Sequence, residues 1–202
     1  MRLTYTLLLS LLTAASAPPR LTIDITFEGV KLAAAGEAAA VEEVRTIWAP
    51  YGVDVRVVAH AAGAARTDAI PLRVTLADRG DPRLPTETLG SIDFHGGTPE
   101  PFIVLYSAST SELVSSALIG HAGEWPGVMQ DRLLGRVLGR ALAHEIGHFL
   151  LRRQGHSAKG LMRAQQPVPD LMREDRSCCI LSAADVSALD ALIEARASGS
   201  SE

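Results

Sequence analysis

The stretch from Arg132 to Leu151 leaves this chain little freedom, because it reads as one long apolar helix with three polar residues near its end. Leu134, Val137, Leu138, Ala141 and Leu142 recur at helical spacing and cover a broad face, which needs a hydrophobic surface to pack against. The same helix carries His144, Glu145 and His148, set beside Ala141 and Gly147. Polar groups on so apolar a helix require something that compensates their burial. Any fold must therefore bury most of this helix and still supply a polar partner to its last turns.

The spacing of the two histidines indicates that partner. Four steps of about 100° bring His148 to within roughly 40° of His144, one turn higher, so both imidazoles can face one metal ion. Glu145 projects to the side of the pair, within reach of a water held there. This is the H-E-x-x-H arrangement of two zinc ligands and a general base. Zinc lowers the pKa of water toward about 7, and a carboxylate takes the proton as the oxygen attacks a carbonyl. The bland alternative is a surface helix with two unconnected histidines, which the apolar context opposes.

A catalytic zinc needs a third protein ligand and an open fourth position. His156 is the leading candidate. If the helix simply continued, His156 would lie about 18 Å beyond His144 along the axis, so the helix must stop and fold back. Gly155 is the expected left-handed residue of that turn, and Arg152 and Arg153 suit a helix C-terminus electrostatically. The rival ligand is Glu174, within Arg173-Glu174-Asp175. A downstream glutamate completes the site in another class of zinc protease.

Around this helix the pattern is mixed. Leu21 to Phe27 and Val53 to Val58 alternate as half-buried strands, and Leu72 to Leu76 is a third. Weaker strands fall at about Leu89 to Phe94 and Phe102 to Tyr106. Gly36 to Trp48 reads as a helix with Val41, Val44, Ile47 and Trp48 at helical spacing, closed by Pro50 and Gly52. Ser109 to Leu118 is a short helix. Ser182 caps a last helix running to about Ala197, with Asp185 placed where a carboxylate favours the helix dipole. Strands and one helix precede a helical half, which predicts a single α+β domain over residues 18–202.

Met1 and Arg2, the apolar run Leu7 to Leu12 and the small-residue site Ala15-Ser16-Ala17 form a signal-peptide pattern over residues 1–17. Cleavage near Ala17 leaves 185 residues (202 − 17) and predicts a secreted or periplasmic protein. No later apolar run is long enough for stable membrane insertion. The net charge of -4 excludes a strongly basic nucleic-acid binder. Cys178 and Cys179 are adjacent, and a bridge between neighbours strains the peptide, so they read as two half-buried thiols.

The stretch His144-Glu145-Ile146-Gly147-His148-Phe149-Leu150-Leu151-Arg152-Arg153-Gln154-Gly155-His156-Ser157, followed by Gly160-Leu161-Met162, resembles the metzincin zinc proteases, especially secreted bacterial members with a lengthened gap before the third histidine. The resemblance implies one catalytic Zn2+ held by His144, His148 and His156, with Glu145 as base and Met162 on a tight turn beneath the metal. It implies a peptide or protein substrate, and a twisted mixed sheet of about five strands with an early helix, an active-site helix and a C-terminal helix. In the family pattern H-E-x-x-H-x-x-G-x-x-H, Leu151 takes the glycine position and the third histidine comes two residues late. The competing functional readings are an exported zinc-binding or interaction domain without catalysis and a hydrolase of another small amide or ester. His60, His95 and His121 have no partner at ligand spacing. Gly90 to Gly97 is a candidate substrate-binding edge, and Tyr51 and Tyr106 are oxyanion candidates only if the fold brings them near.

Overall fold

The computed structural model describes residues 20–59, 68–119 and 125–199. The expected signal peptide, His60 and His121 lie outside the described residues. The strands are β1 (Leu21–Gly29), β2 (Val53–Val57), β3 (Ala69–Ala77), β4 (Gly90–His95) and β5 (Thr98–Tyr106), and they form one sheet in the order β2-β1-β3-β5-β4. The pairings are parallel except between β4 and β5, which run antiparallel. Alternation accounts for β1: Ile23 and Ile25 are fully buried, while Asp24 between them turns to the other face. There Asp24 meets Arg56, its registered neighbour on β2, at 2.7 Å, so the buried carboxylate is paired.

The helices are α1 (Ala34–Trp48), α2 (Ser107–Leu118), α3 (Gly127–Leu151), α4 (Val168–Met172) and α5 (Ala183–Gly199), giving an α+β fold with a long central helix. The core lies where α1 and α3 cover the sheet. Trp48, Leu138, Leu142 and Ile146 share one buried cluster with Ile23, Leu72, Ile103 and Leu105. Helix α1 crosses α3 closely because the contact is made of small residues. A Cβ at Gly135 would fall 2.0 Å from the carbonyl oxygen of Gly36, so only glycine fits there. Beside that crossing, Arg140 Nε donates to Glu43 Oε1 at 2.7 Å, both side chains buried.

Several boundaries differ from the sequence expectation. Helix α3 begins at Gly127 rather than Arg132, after Pro126, whose carbonyl accepts from Met129 N. Its first turn exposes Val128 and Met129, so no apolar periodicity marks it. Helix α4 and the 3₁₀ turn Ser177–Cys179 were not anticipated, being too short to generate a period. No helix among the described residues is long and apolar enough to cross a membrane.

Candidate metal centre

Near the C-terminus of α3 the side chains of His144 and His148 come together, and His156 on the following loop joins them. The three rings have centroid separations of 4.7, 5.3 and 4.8 Å. One nitrogen from each ring lies within 4.8 Å of the others. His148 is buried in the helix end, His144 is half-buried and His156 is exposed.

The hydrogen bonds assign the tautomers. His144 Nδ1 stands 2.7 Å from the carbonyl oxygen of Leu161, and His148 Nδ1 stands 2.7 Å from that of Arg153. A carbonyl only accepts, so each Nδ1 carries the proton, and each neutral ring presents an unprotonated Nε2. Those two Nε2 atoms face each other at 3.0 Å. Two lone pairs at that distance repel unless a cation lies between them. Ligands about 2.0–2.1 Å from a tetrahedral ion stand roughly 3.3 Å apart, close to the separation observed. The donor set thus fits a metal ion, and the two carbonyls supply the outer partners that orient ligating imidazoles.

Burial holds the imidazoles in their neutral form. His144 is lowered to about 4, chiefly by burial, with the Leu161 carbonyl opposing and His148 and His156 adding to the fall. Burial also lowers His148, opposed by the Arg153 carbonyl, and lowers His156 together with the Arg153 charge. Metal ligation needs neutral rings, so this bias favours it near neutrality.

The fold-back that delivers His156 differs from the one expected. Its left-handed residue is Arg152 (φ 50, ψ 43), whose N–H bonds to the His148 carbonyl, and Gly155 has no positive φ. A left-handed arginine costs roughly 1–2 kcal/mol, so tertiary contacts must hold it. They come from Asp185 on α5, which is fully buried. Its carboxylate accepts from Arg153 Nη2 and, at 3.1 Å, from Ser157 Oγ, while Arg153 Nη2 also donates to Ser157 Oγ at 2.9 Å. The loop carrying His156 is therefore fastened on both sides of the histidine. Ser182 caps α5 as expected, accepting from Asp185 N at 3.2 Å, but the second role of Asp185 has no local sequence signal.

Met162 lies beneath the helix end and is fully buried. A Cβ on Gly147 would stand 2.2 Å from Met162 Sδ, so Gly147 leaves the space the thioether fills. The backbone around Met162 is tied to the site: Ser157 N donates to the Met162 carbonyl at 2.7 Å, and the neighbouring Leu161 carbonyl holds His144.

Glu145 is 7% exposed, and burial pushes its carboxyl up to about 8. It lies against β4: a Cβ on Gly90 would be 3.1 Å from Glu145 Cγ and 3.2 Å from Oε1. Strand β4 ends the sheet, as the expectation of an edge at Gly90 to Gly97 required. Glu174 stands apart from the histidine group. Its side chain is 93% exposed and 3.9 Å from Arg136, because it sits on a charged loop after α4 and not on the segment beneath α3. Both candidate tyrosines are engaged: Tyr51 OH accepts from Leu181 N at 2.8 Å, and Tyr106 OH is 2.9 Å from Ser91 Oγ. His95 is an exposed strand-end residue.

Fold and site together define a three-histidine group, capable of holding a metal ion, at the end of the central helix of an α+β protein. No protein-family model, no curated protein and no solved structure matches the chain.

Proposed function

We propose that this chain is an exported zinc-dependent endopeptidase. The observation that carries the reading is the pair of unprotonated Nε2 atoms facing each other at 3.0 Å, with His156 closing the third side. The resemblance of His144 to Met162 to the metzincins supports it, as does the signal-peptide pattern at residues 1–17.

His144, His148 and His156 would hold the ion, which when bound would supply the Lewis acidity that activates water and polarises a carbonyl. Glu145 takes the proton from the attacking water and passes it to the leaving amine. Burial raises its carboxyl to about 8, which makes the carboxylate a strong base. Strand β4 offers its outer edge to an extended peptide, whose backbone would pair with it as an added strand. Gly90 brings that edge against Glu145, so a peptide bound there presents its carbonyls next to the base.

The test combines zinc content with cleavage of a fluorogenic peptide library. Glu145→Gln is expected to retain zinc and lose hydrolysis by about 10²–10⁴-fold. Full activity in that variant would remove Glu145 as the base. Zinc bound with no cleavage of any library member by the unmodified protein would identify a non-catalytic zinc-binding domain.

A further inference from the structure

Away from the histidines, the sulfurs of Cys178 and Cys179 stand 3.1 Å apart on the 3₁₀ turn Ser177–Cys179. Cys179 is buried. Cys178 is half-buried and lines an open cavity of about 440 Å³ with Lys159, Arg163, Gln166 and Asp170. Arg140 Nη1 lies 3.6 Å from Cys178 Sγ.

Arg140 and Arg176 both pair with Glu43, at 2.7 and 2.8 Å, so two guanidiniums share one buried carboxylate. The other donors of Arg140 reach the carbonyls of Asp170, Arg173 and Asp175, which carry no net charge. The Asp170 carboxylate acts against a thiolate; it lies 4.0 Å from Arg173, which pairs more closely with Asp175 at 2.7 Å. Cys178 is lowered to about 7, first by the hydrogen bond from Cys179, against burial, and then by Arg140. Cys179 is raised by the same hydrogen bond and by burial. The pair thus joins a cavity-facing thiol beside Arg140 to a buried second thiol within reach of it.

We propose that Cys178 and Cys179 form a redox-active dithiol that a low-molecular-weight disulfide oxidises to a bridge between the two neighbours, and that this oxidation loosens the histidine site. The Cys178 thiolate attacks one sulfur of the small disulfide, forming a mixed disulfide and releasing one thiolate. Cys179 then attacks Cys178 Sγ, and the second thiol leaves. The protein loses two electrons and two protons, and the small disulfide becomes two thiols. A ring through adjacent cysteines does not fit a helical turn, so its closure unwinds Ser177–Cys179. The next residue, Ile180, accepts from Leu161 N at 3.0 Å, and the Leu161 carbonyl holds His144 Nδ1. Two hydrogen bonds therefore link the dithiol to a ligand. This second consequence rests on the metal reading above, whereas the dithiol itself does not.

The test treats the full chain with oxidised glutathione and follows free-thiol titration, intact mass and zinc affinity by chelator competition. Expected are the loss of both thiols, a mass lower by two hydrogens, and zinc binding at least about tenfold weaker, restored by dithiothreitol. In Cys179→Ser the reaction should stop with one glutathione on Cys178. In Cys178→Ser, zinc binding should match the reduced protein and ignore glutathione. Two thiols still titrating after oxidant, or a stable glutathione adduct on the unmodified chain, overturns the dithiol. A clean bridge with unchanged zinc affinity overturns the link to the histidines. Zinc failing to bind the reduced protein counts against the metal reading alone, since thiol titration and mass need no metal.

Discussion

The two halves of the histidine site are built by different means. His144 and His148 share a helix face because four residues make about one turn, and the helix is held by its apolar contacts with the sheet. His156 sits on a loop whose turn residue is a left-handed arginine, and Asp185, 32 residues beyond Arg153, fastens that loop. The helix half needs only local periodicity and burial. The loop half needs an ion pair between the buried Asp185 and the half-buried Arg153 to place the exposed His156. The convergence of the three histidines thus depends on a long-range contact as well as on the motif.

The largest effect should separate the halves directly. His148→Ala is expected to weaken zinc binding by more than about 100-fold, beyond the range of a change outside the ligand shell. His156→Ala should also fall beyond that range but by less, since the helix pair remains preformed. Chelator competition measures both, with circular dichroism confirming that each variant folds. Unchanged affinity in His156→Ala would mean that the loop takes no part in the site.

Next in size is Asp185→Asn, which keeps the shape and removes the charge. Zinc affinity should drop about 10–100-fold, as for other changes that act through a ligand's supports. Folding stability should fall by about 2–3 kcal/mol, below the usual figure for a broken buried pair because Arg153 is 36% exposed. The pH dependence has a definite sign. Burial pushes the Asp185 carboxyl up, but Ser182, Ser157 and Arg153 together leave it below its ordinary value. A depressed folded pKa stabilises fully above the unfolded value near 3.9, and that stability is lost as pH falls through the folded one. Urea unfolding should therefore show a gap between the two proteins at about pH 6 that narrows toward about pH 3. A constant gap would deny the charge its role.

What the sequence disclosed follows the same division. The His144–His148 pair, the apolar face of α3 and the alternation of Leu21, Ile23 and Ile25 are local patterns, and each lies where its period places it. Met162 could be matched because a motif ties it to the histidines, and Gly147 provides the space it occupies. The turn at Arg152 could not be read, since an arginine enters the left-handed region only under tertiary constraint, and Gly155 was the natural expectation. Asp185 announced itself as a first-turn carboxylate that favours the helix dipole and concealed its partners on the His156 loop. Glu43, Arg140 and Arg176 meet across 97 and 133 residues of chain, a distance no periodicity spans.

The smallest expected effect concerns Glu174, which offers the oxygens a metal site could use but lies outside the group that converges. With its side chain 93% exposed and its one long contact to Arg136 at 3.9 Å, Glu174→Ala should change stability by no more than about 0.5 kcal/mol. Zinc affinity in the same variant should stay within about twofold of the unmodified protein. The value of the measurement lies in its pairing with His156→Ala, because both residues are exposed and only one is fastened beside the helix pair. A strong loss in Glu174→Ala with none in His156→Ala would mean that in solution the segment after α4 closes the site instead of the loop held by Asp185. The loop half of the site would then owe nothing to the turn at Arg152, and the network of Arg153, Ser157 and Asp185 would serve stability alone.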